Sequence, residues 1–146
     1  MNLTDNSESV VVDLTTYIKQ DDESEKFTFR ELGTLVNVGD KTYLRFKETQ
    51  KEEKVASVTI KISDDHVQLT RQDKMGHHSR LIFADKEQHD TIYQTPYGPI
   101  KLAVNTKDLL YNYQESPQAG DLDIKYELMS GNMMIGEYKM ELHFSA

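Results

Sequence analysis

The chain predicts an all-β domain: a single antiparallel meander of about 8–10 strands that closes into a barrel. Three observations carry that reading. Leu122, Ile124, Tyr126 and Leu128 alternate with Asp121, Asp123, Lys125 and Glu127, and Tyr138, Met140, Leu142 and Phe144 alternate with Lys139, Glu141 and His143. Successive side chains leave a strand on opposite faces, so each run has one buried face and one wet face, as antiparallel sheets allow. Apolar residues almost nowhere recur at the three-and-four spacing of a helix. Short turn signals separate the runs, so each strand pairs with its sequence neighbour. A meander this long removes its exposed edges by closing, which favours a barrel over an open sandwich.

In order along the chain, residues 1–9 read as a flexible N-terminal segment and residues 10–146 as one domain. Val10, Val12, Leu14, Thr16 and Ile18 form the apolar face of the first strand, which ends in the acidic run Asp21, Asp22, Glu23, Ser24, Glu25, read as a turn. Phe27 and Phe29 alternate with Thr28 and Arg30 in the next segment, Lys26 to Val38, where Gly33 marks a bulge or sharp bend. Gly39-Asp40 is a hairpin signal, because Gly takes positive φ without strain. Strands follow at 42–48, 55–63, 67–72, 77–84, 90–95, 100–105 and 109–114, before the two long final ones. Between them, Asp64-Asp65, the 72–76 and 85–88 stretches, Pro96 to Pro99, 115–120 and Gly131-Asn132 supply the turns. The Gln50 to Lys54 stretch is polar on all sides and lacks the apolar face of a packed helix.

Composition narrows the setting. With 146 residues the chain is long enough to bury most of its apolar surface alone, and with no cysteine it has no disulfide framework or thiolate chemistry. Its start lacks a basic segment followed by an apolar run, and no stretch reaches the ~18–20 apolar residues of a membrane helix, so the expected location is cytoplasmic. A net charge of −8 repels phosphate backbones and anionic membranes, which excludes nucleic acid and membrane as expected partners.

Motifs for catalysis are missing. There is no nucleophile elbow, dinucleotide loop, phosphate-binding loop or metalloprotease helix in the sequence. His77 and His78 are adjacent and point to opposite faces of a strand. His66, His89 and His143 lie on separate segments, so no metal ligand set and no cofactor site is expected. Asp64-Asp65 reads as an exposed turn, since paired carboxylates become an acid/base couple only when their environments separate their pKa values. The sequence therefore offers no catalytic residues and favours a non-catalytic role, with an enzyme whose polar cleft assembles from separate strands left open as a third class.

One segment carries a family signature. Tyr93-Gln94-Thr95-Pro96-Tyr97-Gly98, followed by Ile100, Leu102 and Val104, resembles the Y-x-T-P-[FY]-G segment of the YwiB-like family of small bacterial proteins. Tyr43 to Glu48 is similar to that family's Y-L-R-[YF]-x-E strand. Val58 to Ile62 is similar to its T-I-K-I strand, and Ile135 to Met140 to its closing G-E-x-x-L/M strand. The resemblance spans residues 10–144 and implies a calycin-like barrel, related in shape to lipocalins and fatty-acid-binding proteins. It implies no activity. In its own physics the Pro96 segment is a hairpin: Pro fixes φ, Thr95 is held extended, and Gly98 completes the turn.

The expected function is binding of a small apolar or amphipathic ligand, a carboxylate among them, in the barrel interior. The binding candidates are Tyr93, Gln94 and Tyr97, with polar tips at a barrel mouth, and the strand arginines Arg45 and Arg80. An inward guanidinium needs a carboxylate partner, which a ligand can supply, and fatty-acid-binding barrels use an interior Arg in this way. Strand parity sets Arg45 with Tyr43 and Lys47, against Leu44 and Phe46, and leaves Arg80 open; Arg71 is the third strand arginine. Met129, Met133 and Met134 cluster near a turn, where thioethers line an adaptable pocket or fill the barrel end. The alternative is a structural or interaction protein, such as a homodimer, with a packed interior. Its contact residues would be Val11, Tyr17, Leu35 and Leu110, read as lying opposite their strands' main apolar faces.

Overall fold

The structure is a computed structural model that describes residues 7–49, 55–75, 78–95 and 97–146. Residues 1–6, the Gln50 to Lys54 stretch, Gly76, His77 and Pro96, on which several sequence expectations fall, lie outside the described residues. The described chain forms ten strands: β1 (Ser7–Gln20), β2 (Glu23–Val38), β3 (Lys41–Thr49), β4 (Val55–Ile62), β5 (Val67–Asp73), β6 (His78–Phe83), β7 (Gln88–Thr95), β8 (Gly98–Glu115), β9 (Gln118–Ser130) and β10 (Met133–Ser145). They make one antiparallel sheet in the order β6-β5-β4-β3-β2-β1-β10-β9-β8-β7, coiled into a nearly closed barrel. Every sequence neighbour pairs except β6 and β7, and β1 pairs β10 to join the two halves of the meander.

The inner face follows the alternation. Leu35, Leu44, Ile60, Leu69 and Leu81 form one continuous cross-strand row from β2 to β6. Leu14, Leu142, Leu122 and Tyr111 form another from β1 to β8. Most of these side chains are buried, and each large one contributes roughly 1.5–3 kcal/mol relative to exposure. Phe144, fully buried, fits because Gly120 stands directly opposite it on β9; a Cβ there would overlap the Phe144 ring. Inside the barrel the Phe83 and Tyr126 rings lie 4.7 Å apart, and the rings of Tyr126 and Tyr138, paired across β9 and β10, stack at 5.0 Å.

Several details differ from the sequence reading. Leu35 is buried at 1% exposure, so it belongs to the core and not to an outer contact surface. The register of β2 against β1 runs unbroken through Gly33, so Leu35 keeps the parity of Phe27 and Phe29. Gly33 carries no bulge: there β2 begins to pair with β3, and a Cβ would lie 2.7 Å from the Arg45 carbonyl oxygen. The predicted strands at 100–105 and 109–114 are one strand, β8, with a bulge at Lys107 between Thr106 and Asp108. That extra residue flips the parity, so Leu102, Val104 and Thr106 face inward before the bulge and Leu109, Tyr111 and Tyr113 after it. Finally, β1 begins at Ser7, where Ser7 to Ser9 pair with Val36, Leu35 and Thr34. The predicted acidic turn narrows to Asp21-Asp22, with Asp21 at φ 53°. Gly39 takes the positive φ expected of it, +63°.

The turn after β6 pins the seam. Asp85 accepts a hydrogen bond from the Leu109 amide at 3.1 Å, and Lys86 Nζ donates to the Lys107 carbonyl at 2.8 Å, so Ala84 to Glu87 clasps the bulge of β8. Further along, the Thr91 hydroxyl donates to the Arg80 carbonyl and bridges β7 to β6.

Candidate binding site at the barrel mouth

In a meander, alternate turns fall at alternate ends of the barrel. Gly39-Asp40, Ser63 to His66, Ala84 to Glu87 and Ser116-Pro117 lie at one end, a largely polar one. Asp21-Asp22, Lys74-Met75, Tyr97 and Gly131-Asn132 lie at the other. Four of the exposed large apolar side chains, Met75 (79%), Tyr97 (99%), Met133 (71%) and Met134 (48%), stand in or beside its turns. Inner-face residues near this end are exposed as well, with Phe27 at 47%, Tyr93 at 43% and Ile100 at 45%. Phe27 lies where β2 overhangs β3, and Tyr93 and Ile100 lie where the β7–β8 hairpin overhangs β9, so their inward sides stay open and this end is a mouth with an apolar rim.

The charged group of the mouth is Arg71. Val67, Leu69 and Arg71 share the inner face of β5, and Arg71 stands opposite buried Val58 on β4 and buried Ser79 on β6. Its Nη2 donates to Glu48 Oε2, an inner-face residue of β3, at 2.9 Å, while its Nε is buried without a hydrogen-bond partner. Below the pair, the Phe29 and Phe46 rings lie 5.7 Å apart. The Tyr126 phenol is raised above its ordinary value, chiefly by burial, with Tyr138 adding to the lift and Arg71 opposing it. The guanidinium is therefore within electrostatic range of the Tyr126 hydroxyl. A cation at the base of an apolar, aromatic mouth can orient an anionic head group while the walls hold an apolar body.

Of the sequence candidates, the structure brings Tyr93 and Tyr97 to this mouth and leaves the others outside. Tyr93 lies opposite Ile100 on the inner side of β7–β8, and Tyr97 is exposed in the turn. Gln94, one residue on, is exposed on the outer side opposite Pro99. Arg45 is exposed on the outer face of β3, its guanidinium 5.8 Å from the Tyr43 ring, and Arg80 is exposed on the outer face of β6. The inward arginine is Arg71, and the signal for it was present: it shares its parity with Val67 and Leu69, an unambiguous apolar face. Glu48 carried no such signal, because its role depends on which strands lie side by side.

The histidines are dispersed. His66 Nδ1 lies 2.7 Å from Asp65 Oδ1, and His143 Nδ1 the same distance from Asp121 Oδ1, both on exposed surface. Among the described residues, no group of three or more His, Cys, Asp or Glu is placed to hold a metal ion. Among the described residues no helix is long and apolar enough to cross a membrane.

Comparison with known proteins supports the fold and the family. The crystal structure of the ywiB protein from Bacillus subtilis superposes with a TM-score of 0.82 at 18% identity, covering 97% of this chain and 93% of that one. At that identity the likeness is one of fold. Among curated proteins no sequence matches the chain. Residues 12–142 match the family model described as "Domain of unknown function (DUF1934)", and with nearly the whole barrel inside that match the chain belongs to this family, as the YwiB-like segments led us to expect.

Proposed function

We propose that the protein is a non-catalytic binder of a small amphipathic anion, held at the mouth of the barrel with its head group against Arg71. The observation that carries this reading is the inward guanidinium with a buried, unpartnered Nε beneath an exposed apolar rim. Glu48 holds the cation in place without the ligand, and the ligand's carboxylate or phosphate would complete its hydrogen bonding. Because aromatic rings stand inside the barrel, the ligand's apolar part would lie in the open end beside Phe27, Tyr93 and Ile100. The kinship in shape with lipocalins and fatty-acid-binding proteins belongs to this reading, as does a cytoplasmic location, which a cysteine-free composition suits.

The test is to purify the protein under native conditions, denature it, and search the extract by mass spectrometry for a stoichiometric small molecule. A carboxylate or phosphate amphiphile at near one per chain, lost from an Arg71→Gln variant, is the expected result. A clean extract, together with no binding of long-chain fatty acids or alkyl phosphates to the purified protein, would overturn it. The alternative of an interaction protein is favoured by one feature: the rim residues Met75, Tyr97 and Met133 project into solvent, as contact residues do.

A further inference from the structure

The outer face of the barrel carries a groove of about 490 Å³ that runs across the strands, away from the mouth interior. Its lining comes as one triplet from each of β1, β2, β9 and β10, with Lys107 alone from β8: the middle members, such as Ile18, Tyr138 and Tyr126, are inward positions standing in one cross-strand row. The groove floor is therefore main chain, and the outward side chains on either side of that row make its walls.

The two walls differ in charge. On one, Lys26, Tyr17, Lys139 and Lys125 follow one another across β2, β1, β10 and β9, and the row ends on β8 at Asp108, held by Lys86, beside Lys107 of the bulge. On the other stand Glu137 and Glu127, flanked by Lys19 and Ser24. Lys139 lies directly opposite Lys125, and Glu137 directly opposite Glu127. Like charges in directly opposed positions destabilise a sheet, and exchanging one residue between the two rows would turn both pairs into ion pairs. The fold relieves the strain only locally: Lys107 reaches Glu127 at 3.3 Å, Lys139 reaches Glu141 at 3.5 Å, and the Lys26 and Lys139 ammonium groups lie 5.5 and 5.7 Å from the Tyr17 ring centre. Five lysines and three glutamates line the groove, a local charge of +2 on a chain of −8.

We propose that this groove docks an extended acidic peptide segment of a partner protein, with acidic side chains at alternate positions. From β2 to β9 the lysine wall crosses three strand spacings, about 14 Å, which is the length of roughly four extended residues. Side chains of an extended segment alternate, so one edge presents carboxylates to the lysine wall. The other edge presents backbone amides and hydroxyls to Glu127 and Glu137. A nucleic acid or a polyphosphate carries charge on both edges and meets the glutamate wall, in addition to the repulsion of the whole chain. The surface lies on the outer side of the wall whose inner side carries Tyr126 and Tyr138.

The experiment is fluorescence anisotropy of a fluorescein-labelled (Glu-Ser)4 octapeptide with the full chain at low ionic strength. Saturable binding is expected, weakened at least tenfold in Lys125→Glu/Lys139→Glu and unchanged in a Lys41→Glu control on β3. Circular dichroism confirms the fold of each variant, and Lys125→Gln/Lys139→Gln, with the same expected loss, replaces the charge reversal should that variant fail to fold. Absence of saturable binding, equal binding of a (Lys-Ser)4 peptide, or binding that survives the lysine substitutions would overturn the proposal. Tighter binding of octathymidylate or inorganic triphosphate would overturn the choice of a peptide.

Discussion

Gly33 of β2 and Arg45 of β3 meet so closely that a Cβ on the glycine would stand 2.7 Å from the arginine carbonyl oxygen. The neighbouring contacts, Val12 Cγ2 at 3.1 Å and Phe46 Cβ at 3.3 Å, leave no direction for relief. At this approach β2 turns from its pairing with β1 alone to pairing with β3 as well, and the meander begins to curl into a barrel. Gly33→Ala is therefore expected to destabilise the protein by about 2–4 kcal/mol, since backbone must move to admit the methyl group. Urea unfolding of the variant checks it, and a loss under 1 kcal/mol would show that the contact is soft.

Glu48 and Arg71 form the inward ion pair of the mouth, 2.9 Å apart with side chains 18% and 33% exposed. Glu48→Ala leaves the guanidinium with less compensation among partly buried neighbours. A loss of about 1–3 kcal/mol is expected, the range for stranding a buried polar group, with solvent access holding it at the lower end. Arg71→Met/Glu48→Leu should recover part of that loss. A double-mutant cycle by thermal or chemical unfolding measures the coupling.

High pH should unfold the barrel through its tyrosines. Burial pushes the Tyr111 phenol from 10.0 up to about 12, and Tyr126 is also raised, mainly by burial. Both are neutral in the folded state where the unfolded chain would ionise, so above pH 10 the unfolded state binds fewer protons and stability falls as pH rises. Stability from this source is fully present below pH 10 and is lost progressively as pH climbs from there through about 12. The expected result is a steep decline in unfolding free energy over that window, with a shallower slope in Tyr111→Phe. A decline with the same slope in both proteins would assign the effect elsewhere.

Arg45 and Arg80 point out of the barrel, and the mouth ligand should not sense them. Arg45→Ala and Arg80→Ala are expected to change ligand retention by less than twofold, whereas Arg71→Gln abolishes it. Native mass spectrometry of the three variants gives the comparison.

The β6–β7 turn holds the bulge of β8 through Asp85 and the Leu109 amide. Asp85→Ala should cost about 1 kcal/mol, the net value of one hydrogen bond, and should speed hydrogen exchange at Leu109. An unchanged exchange rate at Leu109 would show that the bulge is held by β9 alone.

Much of the fold could be read along the chain, because alternation is a local property. Val10, Val12 and Leu14 or Leu122, Ile124 and Tyr126 declare their inner face without reference to any other strand. Closure followed from the number of strands and the shortness of their turns. The reading failed where parity had to be carried across an interruption. Leu35 was assigned to the wrong face because a glycine in a strand can bulge or bend, and only the pairing of β2 with both β1 and β3 shows that the register runs on. The bulge at Lys107 divided one strand into two for the same reason. The mouth was half legible: Tyr93 and Tyr97 sat in a visible hairpin, and the parity of Arg71 with Val67 and Leu69 already turned it inward. Its partner Glu48 lies on a strand two places away in the sheet. What the sequence by itself determined is the all-β meander and the inward face of most strands, since side-chain period and turn chemistry act over a few residues. The tertiary structure alone decided which end opens, which arginine meets a carboxylate inside it, and that two lysines and two glutamates face their own kind across β9 and β10. Those relations depend on register between strands, which forms only when the sheet assembles.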